Sequence, residues 1–120
     1  MPTLQSGMPG TLAQVKVPYV DYNNQSTILY SDDYLFLPSE KEVFGTRTFS
    51  LEAEANALTQ FAYYKNGGSK IKYSSYRKEH WWVRSVYYNA IASFCGVDAL
   101  GGAYVGGASG SLYVAPCFCV

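Results

Sequence analysis

The sequence predicts an α+β domain, two short helices packed on an irregular antiparallel sheet. Three observations predict it. A chain of 120 residues with 17% aromatic side chains and twelve tyrosines has the length and apolar content for one packed core. Helix signals are confined to residues 39–65. Beyond Ser69, short apolar runs alternate with glycines at 96, 101, 102, 106, 107 and 110, which break any helix.

Residues 1–15 carry Pro2, Gly7, Pro9 and Gly10 with no clear period and read as an N-terminal arm or linker, leaving 16–120 as the domain. Lys16–Val20 reads as an extended piece, with Pro18 favouring an edge position. A turn is expected over 21–26, a strand over Thr27–Tyr30, a second turn over 31–33 and another strand over Tyr34–Leu37. Ser39 is a good N-cap with Glu42 three residues on, the spacing of a capping box, and Gly45 ends that helix. A longer helix is expected from Ser50 to Asn66, with Glu52 and Glu54 in its first turn. Leu51, Ala55, Leu58, Phe61 and Ala62 form its core stripe. Strands are expected at Trp81–Ser85, Ser93–Val97, Ala103–Val105 and Leu112–Val120.

Formal charge is zero, but residues 1–60 carry three basic and seven acidic residues and residues 61–120 carry six and two. The run Lys65, Lys70, Lys72, Arg77 and Lys78 reads as a solvated loop or an attraction between the two halves. No nucleic-acid motif accompanies it, so nucleic acid is not expected as a partner. The opening residues lack the pattern of a signal peptide, and no apolar run approaches a membrane span, so membrane insertion is not expected.

Catalytic chemistry has little support. His80 is the single histidine and reads as a packing residue. Cys95, Cys117 and Cys119 read as small buried hydrophobes, since Cys-x-Cys without a second ligand pair is a weak metal signal. No metal, cofactor or calcium site is expected. A Cys–His pair of His80 with Cys95 or Cys117 lacks an orienting third group, and Glu40 and Glu42 sit in a capped first turn. Arg84, between two tryptophans and a serine, is expected to be buried, braced by Asp98 or by an acidic residue of the N-terminal half.

The final third holds the strongest signal. Residues 86–113 contain no Lys, Glu, Gln, Trp or Met, whereas residues 1–85 contain 19 of those five types. At that frequency the gap has a chance of about one in a thousand. Gly, Ala, Ser, Tyr and Val dominate instead, and Tyr, Ser and Gly are the residues of adaptable binding surfaces. Buried strands and glycine loops also lack long charged side chains, which leaves a purely structural reading open.

His80-Trp81-Trp82-Val83-Arg84-Ser85, then Phe94-Cys95, Val97, Gly101 and Val114-Ala115-Pro116, resemble a C-terminal domain of unknown function found in gut phage and bacterial proteins. The stretch from Leu35 to Gly45 and Tyr63-Tyr64-Lys65 match it too, so the resemblance covers about residues 14–120. Val83, Val86 and Ala115 depart from its usual residues.

The resemblance implies a C-type lectin-like fold of the formylglycine-generating-enzyme type. It further implies kinship with the variable proteins of diversity-generating retroelements. In those proteins, reverse transcription rewrites asparagine codons into many residues but never Lys, Glu, Gln, Trp or Met. Where the family tends to have Asn, this chain has Ala90, Ala92, Gly96, Asp98, Leu100, Gly102, Tyr104, Val105, Gly106 and Gly107. With Tyr87, Tyr88, Leu112 and Tyr113, these are the expected ligand-facing positions. The implied function is a receptor-binding domain on a phage tail or bacterial surface, not an enzyme, with a protein or surface receptor as ligand and a trimer as oligomer. The competing reading is a structural or assembly module with no diversified site. A copper or cofactorless oxidase is a weaker third.

Overall fold

The computed structural model describes residues 12–21, 24–90 and 92–118. The chain opens with a hairpin of β1 (Val15–Asp21) and β2 (Asn24–Asp33), paired antiparallel from Val15↔Asp33 to Val20↔Ile28. The turn expected at 31–33 is strand instead. β1 supplies a partner along that whole stretch, and Lys16 Nζ reaches Asp32 at 3.2 Å. Residues 22–23 of the expected first turn, residues 1–11 of the expected arm, and Cys119 and Val120 lie outside the described residues.

β3 (Leu35–Phe36) pairs with β10 (Cys117–Phe118) and ties the chain's end to the entry of the first helix. That helix, α1 (Glu40–Phe44), has the cap its sequence predicts. Ser39 Oγ accepts the Glu42 N–H at 3.0 Å, and Glu42 Oε1 accepts the Ser39 N–H at 2.9 Å. Gly45 closes it in the left-handed region, φ 76°.

The expected second helix is broken in two, α2 (Glu52–Ala57) and α3 (Ala62–Lys65). The cause is tertiary. Residues at the end of α1 have carbonyls with no partner inside their helix. Gln60 Nε2 donates to the Val43 carbonyl at 2.9 Å and the Phe61 N–H to the Glu42 carbonyl at 2.8 Å, and Leu58 and Phe61 are extended. The core stripe is correspondingly interrupted. Leu51 and Ala55 are buried, Leu58 and Phe61 half-buried, and Ala62 exposed.

After the small hairpin of β4 (Lys72–Ser74) and β5 (Arg77–Glu79) comes the sheet that organises the domain. It contains β6 (Trp81–Val86), β7 (Ser93–Val97), β8 (Ala103–Gly107) and β9 (Tyr113–Val114) in the order β8-β7-β6-β9. β6 and β9 run parallel, and the other pairs are antiparallel. The single strand expected over Leu112–Val120 is two short pieces, β9 and β10, which join different sheets.

The expected α+β, C-type lectin-like architecture of two helices on one irregular antiparallel sheet is therefore corrected. Among the described residues the fold is mostly β, 46% strand against 15% helix, with three short helices and several small sheets. Hydrogen bonds between elements hold the strands together and stop the helical run early. One face of the four-stranded sheet packs the core of Val43, Trp81, Val83, Cys95 and Val97, flanked by Phe44, Phe49, Tyr64 and Ala115.

Candidate functional site

The buried face of β6 carries polar groups as well as apolar ones. Glu40 is fully buried, and its carboxylate accepts the backbone N–H groups of Thr48, Phe49 and Ser50 and the Ser50 hydroxyl, at 2.8–3.1 Å. A buried carboxylate needs such a set of donors. The Glu40 N–H donates to Ser85 Oγ at 2.9 Å, and Ser85 Oγ donates to Glu54. Burial holds the Glu54 carboxyl above its ordinary range, with neighbouring Glu42 and Glu40 adding to the effect. The Ser85 hydrogen bond and the Arg84 charge only partly offset it.

Arg84 leaves the other face of β6. Its Nη1 meets Glu42 Oε1 at 2.5 Å and the Leu37 carbonyl at 2.8 Å, and its Nε donates to the Pro18 carbonyl at 3.0 Å. The acidic partner comes from the N-terminal half. Asp98 has a different task. Its Oδ1 accepts the N–H groups of Leu100 and Gly102 at 2.9 and 2.8 Å, shaping the turn between β7 and β8.

These anchors position one end of the sheet. Glu40 fixes residues 48–50. The Tyr88 N–H donates to the Phe49 carbonyl at 2.8 Å, and Ser50 forms a bridge with Tyr87. Phe49, Tyr87 and Tyr88 stack edge to face, with centroids 5.9 Å and 5.1 Å apart in sequence. Arg47 lies over the Tyr88 ring at 5.2 Å and donates its Nε–H to the Ser50 carbonyl at 2.6 Å. Beside them opens a pocket of about 530 Å³ lined by Gln25, Ser26, Arg47, Leu51, Glu52, Ala53, Asn56 and Tyr88.

The fourteen expected ligand-facing residues are not gathered into one patch. Tyr87, Tyr88, Ala90, Ala92 and Gly107 lie at the end just described, where the Ala108 N–H also joins the Ala92 carbonyl. Asp98, Leu100 and Gly102 form the turn at the opposite end, next to Tyr113, which pairs with Trp81. Leu112 precedes it, half-buried. Five-residue strands separate the two ends by about 15 Å.

Gly96, Tyr104 and Gly106 lie on the sheet face that carries Trp82, and Val105 pairs with buried Cys95 on the core face. On the Trp82 face, Trp82 packs edge-to-face with Phe94 at 6.2 Å and His80 with Tyr104 at 4.6 Å. A shallow cavity of about 370 Å³ there is lined by Leu37, Trp82, Val83, Arg84, Phe94 and Ala108. Gly96 is buried. A Cβ on it would sit 2.8 Å from the Trp81 carbonyl oxygen, and one on Gly106 3.1 Å from the Trp82 ring.

Four lining residues had no sequence signal: Gln25 and Ser26 lie on β2, Arg47 in the loop after α1 and Asn56 on α2, and nothing local marks any of them as ligand-facing. Cys95 is in the core, where burial first and then the nearby Glu40 and Glu54 charges push its thiol well above the ordinary range, the reverse of an activated nucleophile. Among the described residues, no group of three or more His, Cys, Asp or Glu is placed to hold a metal ion, and no helix is long and apolar enough to cross a membrane.

A family model described as a domain of unknown function (DUF6273) matches residues 2–120, and the chain belongs to that family. No curated protein and no solved structure matches it.

Proposed function

We propose that this chain is a ligand-binding domain whose exposed residues between 86 and 113 form a hypervariable surface written by a diversity-generating retroelement. Its ligand is a protein or surface receptor, met from a phage tail or a bacterial surface. The observation that carries the reading is the exclusion of Lys, Glu, Gln, Trp and Met from residues 86–113. Two structural facts support it. The residues that brace the sheet, Trp81, Val83, Ser85, Cys95 and Val97, are buried. Tyr88, Ala90, Ala92, Leu100, Gly107 and Tyr113 are exposed, and exposed positions tolerate substitution at little cost. Tyr88 and Tyr113, about half exposed, provide aromatic contact area of the kind that dominates binding energy.

The reading as a fixed assembly module draws on one observation. Gly96 and Gly106 are held by close packing against Trp81 and the Trp82 ring, so their glycines have a structural cause. The ligand-facing set is accordingly narrowed to the exposed positions.

Sequencing the part of the gene that encodes residues 81–120 across a natural population tests the proposal. The expected result is substitution concentrated at 88, 90, 92, 100, 107 and 113, with Trp81, Gly96 and Pro116 constant. A uniform sequence, or changes spread evenly over core and surface, would remove the retroelement reading in favour of the assembly module.

A further inference from the structure

The Arg47 pocket joins side chains from both sides of the compositional boundary. Tyr88 comes from the segment proposed to vary, whereas Gln25, Ser26, Arg47 and Asn56 come from outside it. Arg47 is held twice, by its Nε bond to the Ser50 carbonyl and by the Tyr88 ring beneath its guanidinium, and Ser50 is itself fixed by buried Glu40. Among the described residues, no hydrogen bond engages the two terminal nitrogens of Arg47. They form a preorganised fork, the geometry that takes a carboxylate through two parallel bonds.

We infer that this pocket binds an acidic saccharide, a sugar ring carrying a single carboxylate. The inference rests on the binding reading above only in taking Tyr88 as ligand-facing. Arg47 takes the carboxylate. The amides of Gln25 and Asn56 and the Ser26 hydroxyl each donate and accept, which matches ring hydroxyls that do the same. Tyr88 and Leu51 supply apolar surface for the C–H face of the ring. Glu52 on the same lining balances the Arg47 charge. That leaves no surplus positive charge for a dianion such as phosphate, and a single carboxylate paired with the fork brings the least negative charge near Glu52. A volume of about 530 Å³ is ample for a monosaccharide. Tyr88 both steadies the fork and faces the ring, so a change at residue 88 alters recognition of the sugar acid itself.

The test is titration of the whole chain with glucuronate, followed by NMR through the side-chain amides of Gln25 and Asn56. Saturable shifts are expected, with glucose at least about tenfold weaker. Arg47→Lys, which keeps the charge and loses the fork, should weaken glucuronate about tenfold. Asn56→Ala should weaken it with melting unchanged, which serves if the Arg47 variant folds poorly. Absence of saturable shifts, glucose binding as well as glucuronate, or full affinity in both variants would overturn the assignment. A failed titration leaves the population-sequencing result standing, and uniform sequences there leave this titration standing.

Discussion

Trp81 and Trp82 are neighbours in the chain, yet they serve opposite faces of β6. Trp81 is fully buried, its indole Nε1–H donating to the Lys70 carbonyl at 3.0 Å, while Trp82 is half-buried against Phe94 on the far side. Successive side chains of a strand point to opposite faces, so both tryptophans cannot enter one core. The two substitutions should therefore separate. Trp81→Ala is expected to cost about 3–5 kcal/mol, as for a large core side chain that also leaves the Lys70 carbonyl unpaired. Trp82→Ala is expected to cost about 1–2 kcal/mol. Denaturant melts of both variants check this, and equal losses would contradict the assignment of faces.

Glu40 should matter to stability more than any exposed acid. Glu40→Ala strands three backbone N–H donors at residues 48–50 and is expected to cost about 3 kcal/mol or more. Glu40→Gln retains one acceptor oxygen and should cost less. Because residues 49–50 hold Tyr87 and Tyr88, the alanine variant should also raise amide exchange at Tyr88. Exchange mass spectrometry reads that directly, and unchanged protection at Tyr88 would break the proposed link.

Glu54 gives the domain a pH dependence whose sign follows from burial. Its carboxyl is held above the ordinary 4.5, so the folded state keeps that proton to higher pH than the unfolded chain does. Folding is then favoured below about 4.5, and this contribution is lost as pH rises through the folded value. Glu54→Gln, which still accepts from the Ser85 hydroxyl, removes the dependence. Relative to the wild type it should become more stable as pH rises from 4.5 to 7, the gap closing in more acid buffer. Chemical melts across that range decide it, and a gap that widens towards acid would reverse the assignment.

Gly96→Ala tests whether position 96 can belong to a diversified surface. The new Cβ would stand 2.8 Å from a backbone oxygen of Trp81, which no side-chain rotation relieves. A loss of about 1–3 kcal/mol is expected. Ala92→Ser, at an exposed position, should stay within about 0.5 kcal/mol. If both variants melt with the wild type, the packing argument for Gly96 fails.

Local chemistry was readable where it was self-contained. Ser39, Glu42 and Gly45 mark both ends of α1, because a capping box and a left-handed stop are made within a few residues of chain. The strands of the main sheet were readable from β-rich runs between glycines. The helix expected through Asn66 was not, because its interruption depends on the bonds from Gln60 and Phe61 to carbonyls of α1. The candidate site was half legible. Tyr87 and Tyr88 stood out by composition, whereas Arg47, 41 positions earlier, meets Tyr88 only because Glu40 folds residues 48–50 back against β6.

By itself, the sequence determined the cap of α1, the positions of the main strands, the need for an acidic partner to Arg84, and the exclusion of five residue types from 86–113. Tertiary structure alone decided that Glu42 is that partner, which tryptophan is core, that β6 and β9 run parallel, and how the fourteen candidate positions divide between two ends and two faces of a sheet. The division has a physical cause. Backbone caps and strand alternation are satisfied by near neighbours, whereas burial, charge pairing and strand order are settled between residues far apart in the chain, where many partners compete and the one that satisfies the most buried polar groups prevails.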